Sequence, residues 1–291
     1  MLFGGFYKEK SCYSFSIASQ QWTKLQNLPS KRYYHSSAII GNSVFLVGGY
    51  KNSTIEEYET VKKKLTKTSK MKWSLVSSTV FCNEFGITVY EVDSLLIAGG
   101  NDYAASVNNA TNECFVFETK TNSKRYVGSL NTKRLGNVLV NLKSEIFCIG
   151  GYNSTDRYLN TIEMFNATTG NWITTDFKLN IGRCRHQAVA HKQFIYVLGG
   201  NIGYEEYTNT IERIDVSSGK VVILNVRLKQ ARSAFAACKA NNDFFVFGGE
   251  VKDGNSLTST NSTEVLDLET LEIKEGVELP ISNSYFSACS F

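Results

Sequence analysis

Five short apolar runs along the chain each end in a pair of glycines: VFLVGG at 44–49, LLIAGG at 95–100, IFCIGG at 146–151, IYVLGG at 195–200 and FFVFGG at 244–249. The runs are too short for helices and rich in β-branched and aromatic residues, so they read as buried strands. Glycine then frees the backbone for the turn that follows. A sixth pair, Gly4-Gly5, follows the opening MLF, so the pairs are Gly4-Gly5, Gly48-Gly49, Gly99-Gly100, Gly150-Gly151, Gly199-Gly200 and Gly248-Gly249. The even spacing, about 50 residues, is an internal repeat.

Further marks recur at fixed distances from each pair. Counting back sixteen residues from the first glycine lands on Arg32, Asn83, Arg134, Arg183 and Arg232. Ten or eleven residues earlier stand Trp22, Trp73, Lys124, Trp172 and Val221. Seven residues before this position comes Phe15, Phe117, Phe165, Ile214 or, ahead of Ile273, Leu266. The second unit departs, with fifteen residues from Tyr58 to Trp73 that take in a lysine-rich insertion. Each unit therefore predicts four short strands in a meander. Six such meanders predict an all-β, six-bladed β-propeller of four-stranded antiparallel blades, formed as a single domain over residues 1–291. The closing NSYFSACSF repeats the S-x-F-x-A-C pattern of RSAFAAC at 232, a first strand lacking its own Gly-Gly. Blade 1 is thus expected to be shared between about 1–31 and 283–291, and pairing the C-terminal strand with the N-terminal strands closes the propeller.

These units resemble kelch repeats, in which an Arg, a strand ending in Gly-Gly and a spaced aromatic and Trp recur. Blade 1 supplies Gly4, Gly5, Phe15 and Trp22; blade 2 supplies Arg32, Gly48, Gly49, Tyr58 and Trp73. Asn83 in place of Arg, and Lys124, Val221 and Ile273 in place of Trp, are departures. The resemblance implies a non-catalytic module that binds another protein through its loop-lined rim. It also implies a substrate-recognition role in a cullin-type ubiquitin ligase, with a cytoskeletal, actin-binding protein as the alternative and a carbohydrate epimerase-like enzyme as the second.

Strand direction identifies the rim. The residue after each glycine pair and the start of each first strand lie at one end of a blade. That end collects Phe6, Tyr50, Asn101, Tyr152, Asn201 and Glu250 after the glycines. Tyr33, Tyr34, Arg185, Ser233 and Ser284 come from the strand starts, and Tyr103, Arg157, Tyr158, Tyr204 and Tyr207 from the loops. Tyr and Arg dominate protein interfaces because they combine large area with a polar end. Arg32, Arg134, Arg183 and Arg232 recur once per blade, as a scaffold residue does, so hydrogen bonding between blades is expected of them and not an anion site.

Composition adjusts this picture in a few places. High aromatic content (12%) and a formal net charge of only +4 exclude a disordered chain. Six lysines between Lys62 and Lys72 read as a solvated hairpin tip, so no nucleic-acid partner is expected. No apolar run reaches the 18 or so residues of a membrane helix, and no membrane association is expected. Seven scattered cysteines without a C-x-x-C pair fit a reduced, cytoplasmic protein. Three histidines leave little for metal chemistry. His35 and His186 each follow an Arg position by three residues and are expected to be structural, so no metal, cofactor or catalytic residue is assigned. G-x-S-x-G, Walker-type and H-E-x-x-H motifs are absent from the sequence.

Overall fold

All five apolar runs form strands, Ser43–Val47, Ser94–Ala98, Glu145–Ile149, Phe194–Leu198 and Asp243–Phe247, each the second strand of a four-stranded antiparallel meander. This computed structural model describes residues 1–6, 9–50, 52–59, 72–77, 82–102 and 109–291. There are six such sheets, and the described residues contain no helix, so the architecture is the all-β, six-bladed propeller class that the repeat predicts. The lysine-rich insertion, apart from Lys72 at the head of Lys72–Ser77, lies outside the described residues.

The chain divides into two compact units. One, Met1–Val80 with Ala234–Phe291, holds blades 6, 1 and 2; the other, Phe81–Ser233, holds blades 3, 4 and 5. In the first unit the chain ends meet in one sheet: Leu2 pairs with Ala288 and Phe3 with Ser287, and the Met1 ammonium donates to the Cys289 carbonyl at 2.6 Å. Blade 1 is therefore built from both termini, as expected.

Burial explains why each run is apolar throughout. The second strand of a blade is sandwiched on both faces, so its residues cannot alternate between core and solvent. In the first unit, Phe3, Cys12, Val44, Leu46 and Tyr58 fill the space between blades 1 and 2. Leu2, Ala236, Phe245, Phe247 and Phe286 do the same between blades 6 and 1. In the second unit, Leu96, Val116, Leu139, Cys148 and Trp172 join blades 3 and 4. Phe147, Ile149, Ile195, Val197 and Ile214 join blades 4 and 5. Each Val, Leu, Ile or Phe among them, fully buried, contributes about 1.5–3 kcal/mol.

The seven-residue interval of the sequence is a cross-strand pair. Phe15 faces Trp22, Phe117 faces Lys124, Phe165 faces Trp172, Ile214 faces Val221 and Leu266 faces Ile273. Tyr58 likewise faces Trp73 despite the insertion between them. In two of these pairs the rings touch, with centroids 4.8 Å apart for Phe15–Trp22 and 5.1 Å for Phe165–Trp172.

Blade 3 corrects one assignment. Its first hairpin turns through Glu91, Val92 and Asp93, with Tyr90 N donating to Ser94 O at 3.0 Å, whereas Lys143 and Ser144 suffice in blade 4. The extra residue shifts the count back from Gly99 by one. Asn83 pairs with Asn101, as Leu135 pairs with Tyr152 and Cys184 with Asn201, so Asn83 stands one place after the Arg position. Cys82 occupies the arginine's place.

Candidate functional site

Within each unit a clasp recurs at the second glycine of a pair, at Gly5, Gly100, Gly151, Gly200 and Gly249. In the second unit, Gly100 N donates to Arg134 O and Gly151 N to Arg183 O, both at 2.8 Å; in the first, Gly5 N donates to Arg32 O at 2.9 Å. A Cβ on Gly150 would sit 2.6 Å from that same Arg183 carbonyl, so the first glycine is required by the approach of the next blade as much as by its φ of 60°.

The arginine side chain works within its own blade. Arg134 Nη1 donates to Gly150 O at 2.7 Å and Nη2 to Glu163 Oε1 at 2.6 Å; Arg183 makes the same bonds to Gly199 O (2.8 Å) and Glu212 Oε1 (2.7 Å). Arg32 reaches Gly48 O at 2.6 Å and lies 3.0 Å from Glu56. Hydrogen bonding between blades is thus the arginine's main-chain role, and the guanidinium ties the strand start to its own glycine turn. Burial lowers the pKa of Arg32 and Arg183, opposed by the carboxylates they pair with.

The glutamates form a repeat of their own, two residues before the aromatic position: Glu56, Glu163, Glu212 and Glu264. Their carboxylates also bind the loop leading to the arginine. Glu163 accepts from Asn131 N and Thr132 N, and Glu212 from Asn180 N and Ile181 N. In blade 2 Pro29 has no N–H to give, and the Ser30 hydroxyl donates to Glu56 instead. Blades 1 and 3 lack both partners. They carry Asn283 with Tyr13, and Cys82 with Phe115, at the equivalent places. Asn283 Nδ2 still donates to the first-glycine carbonyl, Gly4 O, at 2.7 Å.

Two places after the Arg position the backbone is left-handed in all six blades, at Tyr34, Glu84, Gly136, Arg185, Ala234 and Tyr285, with φ between 51° and 63°. These residues join successive blades by single hydrogen bonds. In the first unit Tyr34 N donates to Tyr285 O (3.0 Å) and Tyr285 N to Ala234 O (2.8 Å); in the second, Gly136 N donates to Glu84 O and Arg185 N to Gly136 O, both at 2.7 Å. Five of the six are not glycine, and such strain is kept where the surroundings impose it.

The two units dress this row differently. In the first, Tyr33 and Tyr50 stack at 4.9 Å, Tyr34 lies 4.2 Å from Tyr285, and Phe6 stands edge-on to Tyr33 at 5.4 Å. The Tyr285 hydroxyl donates to Glu250 Oε2 at 2.7 Å. In the second, the Arg185 guanidinium donates from Nε and Nη2 to the two Glu84 carboxylate oxygens at 3.0 and 2.8 Å. The pair reaches over Gly136, where a Cβ would stand 3.2 Å from Arg185 Cγ.

Short hairpins rise beside the row. Tyr152–Asn153 pairs with Arg157–Tyr158, and Arg157 Nη1 donates to the Tyr152 hydroxyl at 3.0 Å. Asn201–Gly203 pairs with Glu206–Tyr207 and lifts Tyr204 to 90% exposure. Glu250–Asp253 pairs with Ser256–Ser259. Three residues expected at the rim surface are buried instead: Asn101, Ser233 and Ser284. Ser284 Oγ accepts from Ser259, and Asn101 is enclosed where its strand pairs with Cys82–Asn83. Tyr103 lies outside the described residues. Sequence reasoning missed Tyr285, Glu84 and Gly136, whose shared signal is their place two after the Arg position.

The histidines sit in the seams between blades. The His35 ring abuts Gly4 and its Nε2 lies 2.9 Å from Ser287 Oγ; His186 lies between Gly150 and Gly200, with neither ring nitrogen hydrogen-bonded. Burial, reinforced by Arg32 and Arg183 respectively, pushes both pKa values down to about 3. Among the described residues no group of three or more His, Cys, Asp or Glu is placed to hold a metal. Cys12, Cys114, Cys148, Cys184, Cys238 and Cys289 are free thiols, and burial raises Cys148, Cys184 and Cys289 to about 12.

Residues 136–290 match the family model of the KLHDC2/KLHL20/DRC7 Kelch-repeats domain. The chain belongs to the kelch-repeat family. Among proteins it resembles are Kelch-like protein 36 of Mus musculus and of Rattus norvegicus, each 25% identical over 154 residues, half of this chain and 23% of the relative. The kelch chain thus aligns with under a quarter of the length of these relatives. Among solved structures, that of YjhT superposes with a TM-score of 0.79 at 12% identity, covering 90% of this chain and 88% of that one, a likeness of fold. No helix among the described residues is long and apolar enough to cross a membrane.

Proposed function

We propose that the protein is a non-catalytic, protein-binding kelch propeller, a single domain over residues 1–291 that holds its partner against the Gly-Gly rim. The kelch family and fold support a protein-interaction module in general. The observation that carries the rim assignment is the convergence of Phe6, Tyr33, Tyr34, Tyr50 and Tyr285, with Phe6 46% exposed. Tyr152, Arg157, Tyr158 and the raised Tyr204 continue the same residue types along the second unit. Three glutamates near the Arg positions, Glu84, Glu163 and Glu212, each hold an arginine. The finer reading is substrate recognition within a cullin-type ubiquitin ligase, in the cytoplasm, where unpaired thiols persist.

Capture from lysate on the immobilised protein tests the rim. Tyr50→Ala with Tyr152→Ala is expected to leave the melting temperature in place while weakening partner capture by about thirtyfold or more, the effect of losing an aromatic anchor. An unchanged set of captured proteins would refute the rim assignment.

A further inference from the structure

The outer strand of blade 5, Lys220–Arg227, runs for eight residues, against four in Gln21–Lys24, four in Ser123–Tyr126 and three in Ile273–Glu275. Successive residues of an antiparallel strand turn their N–H and C=O to alternate sides. In blades 1, 3 and 6, Leu25 N donates inward to Cys12 O, Val127 N to Cys114 O and Gly276 N to Thr263 O, each three residues after the Trp position of its blade. The Trp position itself therefore faces outward, as the Trp172 carbonyl does in accepting from Asn131 Nδ2 at 3.1 Å. In blade 5 this position is Val221, and Ile223 shares its direction. Their two N–H and two C=O groups line the outer edge, and no other group among the described residues bonds them.

Blade 4 shows how such an edge is closed from within. Its outer strand, Asn171–Lys178, is equally long, but Asn131 Nδ2 occupies the Trp172 carbonyl and Thr175 Oγ1 that of Phe177. In blade 5 the equivalent Asn180 gives its Nδ2 to Glu212 at 2.9 Å, and Leu224 stands in the place of Thr175. The strand reads KVVILNVR, an almost wholly apolar run between two exposed cations, with Ile223 39% exposed. Neither the Lys220 ammonium nor the Arg227 guanidinium has an ion-pair or hydrogen-bond partner among the described residues. Asp215, cross-strand from Lys220, accepts instead from Ser217 and Ser218 within its own turn. An unpaired strand edge is a template for another strand.

We infer that the outer edge of blade 5 docks an extended segment of a partner protein as a fifth strand, a β-branched run with a carboxylate at each end. Charge selects this occupant. Two copies of the chain pairing antiparallel through this strand would set Lys220 opposite Arg227, a like-charge contact that opposes self-association. A segment acidic at both ends satisfies the two cations while its backbone takes up Val221 and Ile223. The edge is not part of the Gly-Gly rim, and the inference does not rest on the rim reading.

The test uses the full chain, isotope-labelled for NMR, and two peptides, Ac-Glu-Val-Thr-Val-Thr-Val-Thr-Glu-amide and its twin with lysine at both ends. At saturation the glutamate peptide is expected to slow hydrogen exchange of the Val221 and Ile223 amides by about tenfold or more. It is also expected to bind about tenfold more tightly than the lysine peptide. Lys220→Glu with Arg227→Glu, a change of two exposed side chains, should leave the thermal melt in place and invert that preference. Ile223→Pro deletes an outward N–H and no bond to Thr210–Asp215, so it should weaken the glutamate peptide several-fold. Unchanged exchange at both amides, equal binding of the two peptides, or a preference that survives the charge reversal overturns the inference. So does protection that rises with protein concentration in the absence of peptide, the mark of a second copy on the edge. Tyr50→Ala with Tyr152→Ala, the rim variant, should bind the glutamate peptide as the parent protein does.

Discussion

Replacing Arg183 by methionine is expected to destabilise the protein by about 3–5 kcal/mol. The pair Arg183→Asn with Glu212→Tyr is expected to lose clearly less than its two single changes added together. Both side chains are fully buried, with Arg183 Nη2 2.7 Å from Glu212 Oε1. Removing the cation alone strands a carboxylate in the core and frees the Gly199 carbonyl that Arg183 Nη1 holds at 2.8 Å. Removing both charges avoids the stranded ion, and the chain already shows a workable substitute. Blade 1 carries Asn283 and Tyr13 at these places, and Asn283 reaches Gly4 O with a shorter side chain. Some loss remains in the double variant, because Asn180 N and Ile181 N lose the carboxylate they donate to. Urea unfolding of Arg183→Met, Arg183→Asn, Glu212→Tyr and the double variant beside the parent measures the loss and the coupling. A wild-type midpoint for Arg183→Met, or a double variant no better than the sum, would show that the pair is not the unit the geometry describes.

The same pair shows how the repeat could be read and where it could not. Gly-Gly, Arg and the aromatic-to-Trp interval were legible because each answers to backbone geometry that recurs in every blade. The glutamate, present in four blades and lacking in two, was not, because a charged residue on a strand reads as a solvated position until its bond to the arginine is seen. Only knowledge that it bonds the arginine explains why those same two blades lack the arginine as well. In blade 3 a count along the chain also failed: one extra residue between Tyr90 and Ser94 moves Asn83 off the Arg place and hides Glu84 as the counterpart of Arg185. Hydrogen-bond register restores the alignment, and spacing alone does not contain it.

The rim was legible as a location and less so as a set of exposed side chains. Position relative to the glycines identified which residues share one end of a blade. It could not distinguish Tyr33, partly exposed and stacked on Tyr50, from Ser233 and Ser284, which occupy the same place in blades 6 and 1 and are buried. Small residues at that place are enclosed by the neighbouring backbone, whereas a ring must project beyond it. The cluster in the first unit depends further on Tyr285, which follows the chain-closing Asn283 and meets Tyr34 only once the terminal strand has paired with Leu2–Phe3.

Mild acid is expected to weaken the fold well before carboxylates titrate, and the two seam histidines are the cause. Both have pKa values lowered to about 3, against about 6.5 when unfolded. Above pH 6.5 neither state binds the proton and nothing is lost. As pH falls below 6.5 the unfolded chain takes up protons that the folded chain refuses, so stability drops by about 1.4 kcal/mol per pH unit for each histidine until the folded value is reached. At pH 5 that amounts to about 2 kcal/mol each and about 4 kcal/mol for the two. Burial dominates the shift, and the guanidinium of the same blade, Arg32 for His35 and Arg183 for His186, adds to it. Blade 4 carries Asn137 at the equivalent place, with Nδ2 donating to Ala98 O at 3.2 Å, so the seam accepts an amide. His186→Asn should therefore fold and should halve the fall in stability between pH 6.5 and 5, measured by urea unfolding at a series of pH values. A slope equal to that of the parent protein would mean that His186 takes up its proton in the folded state, and that the seam admits water or moves to meet it.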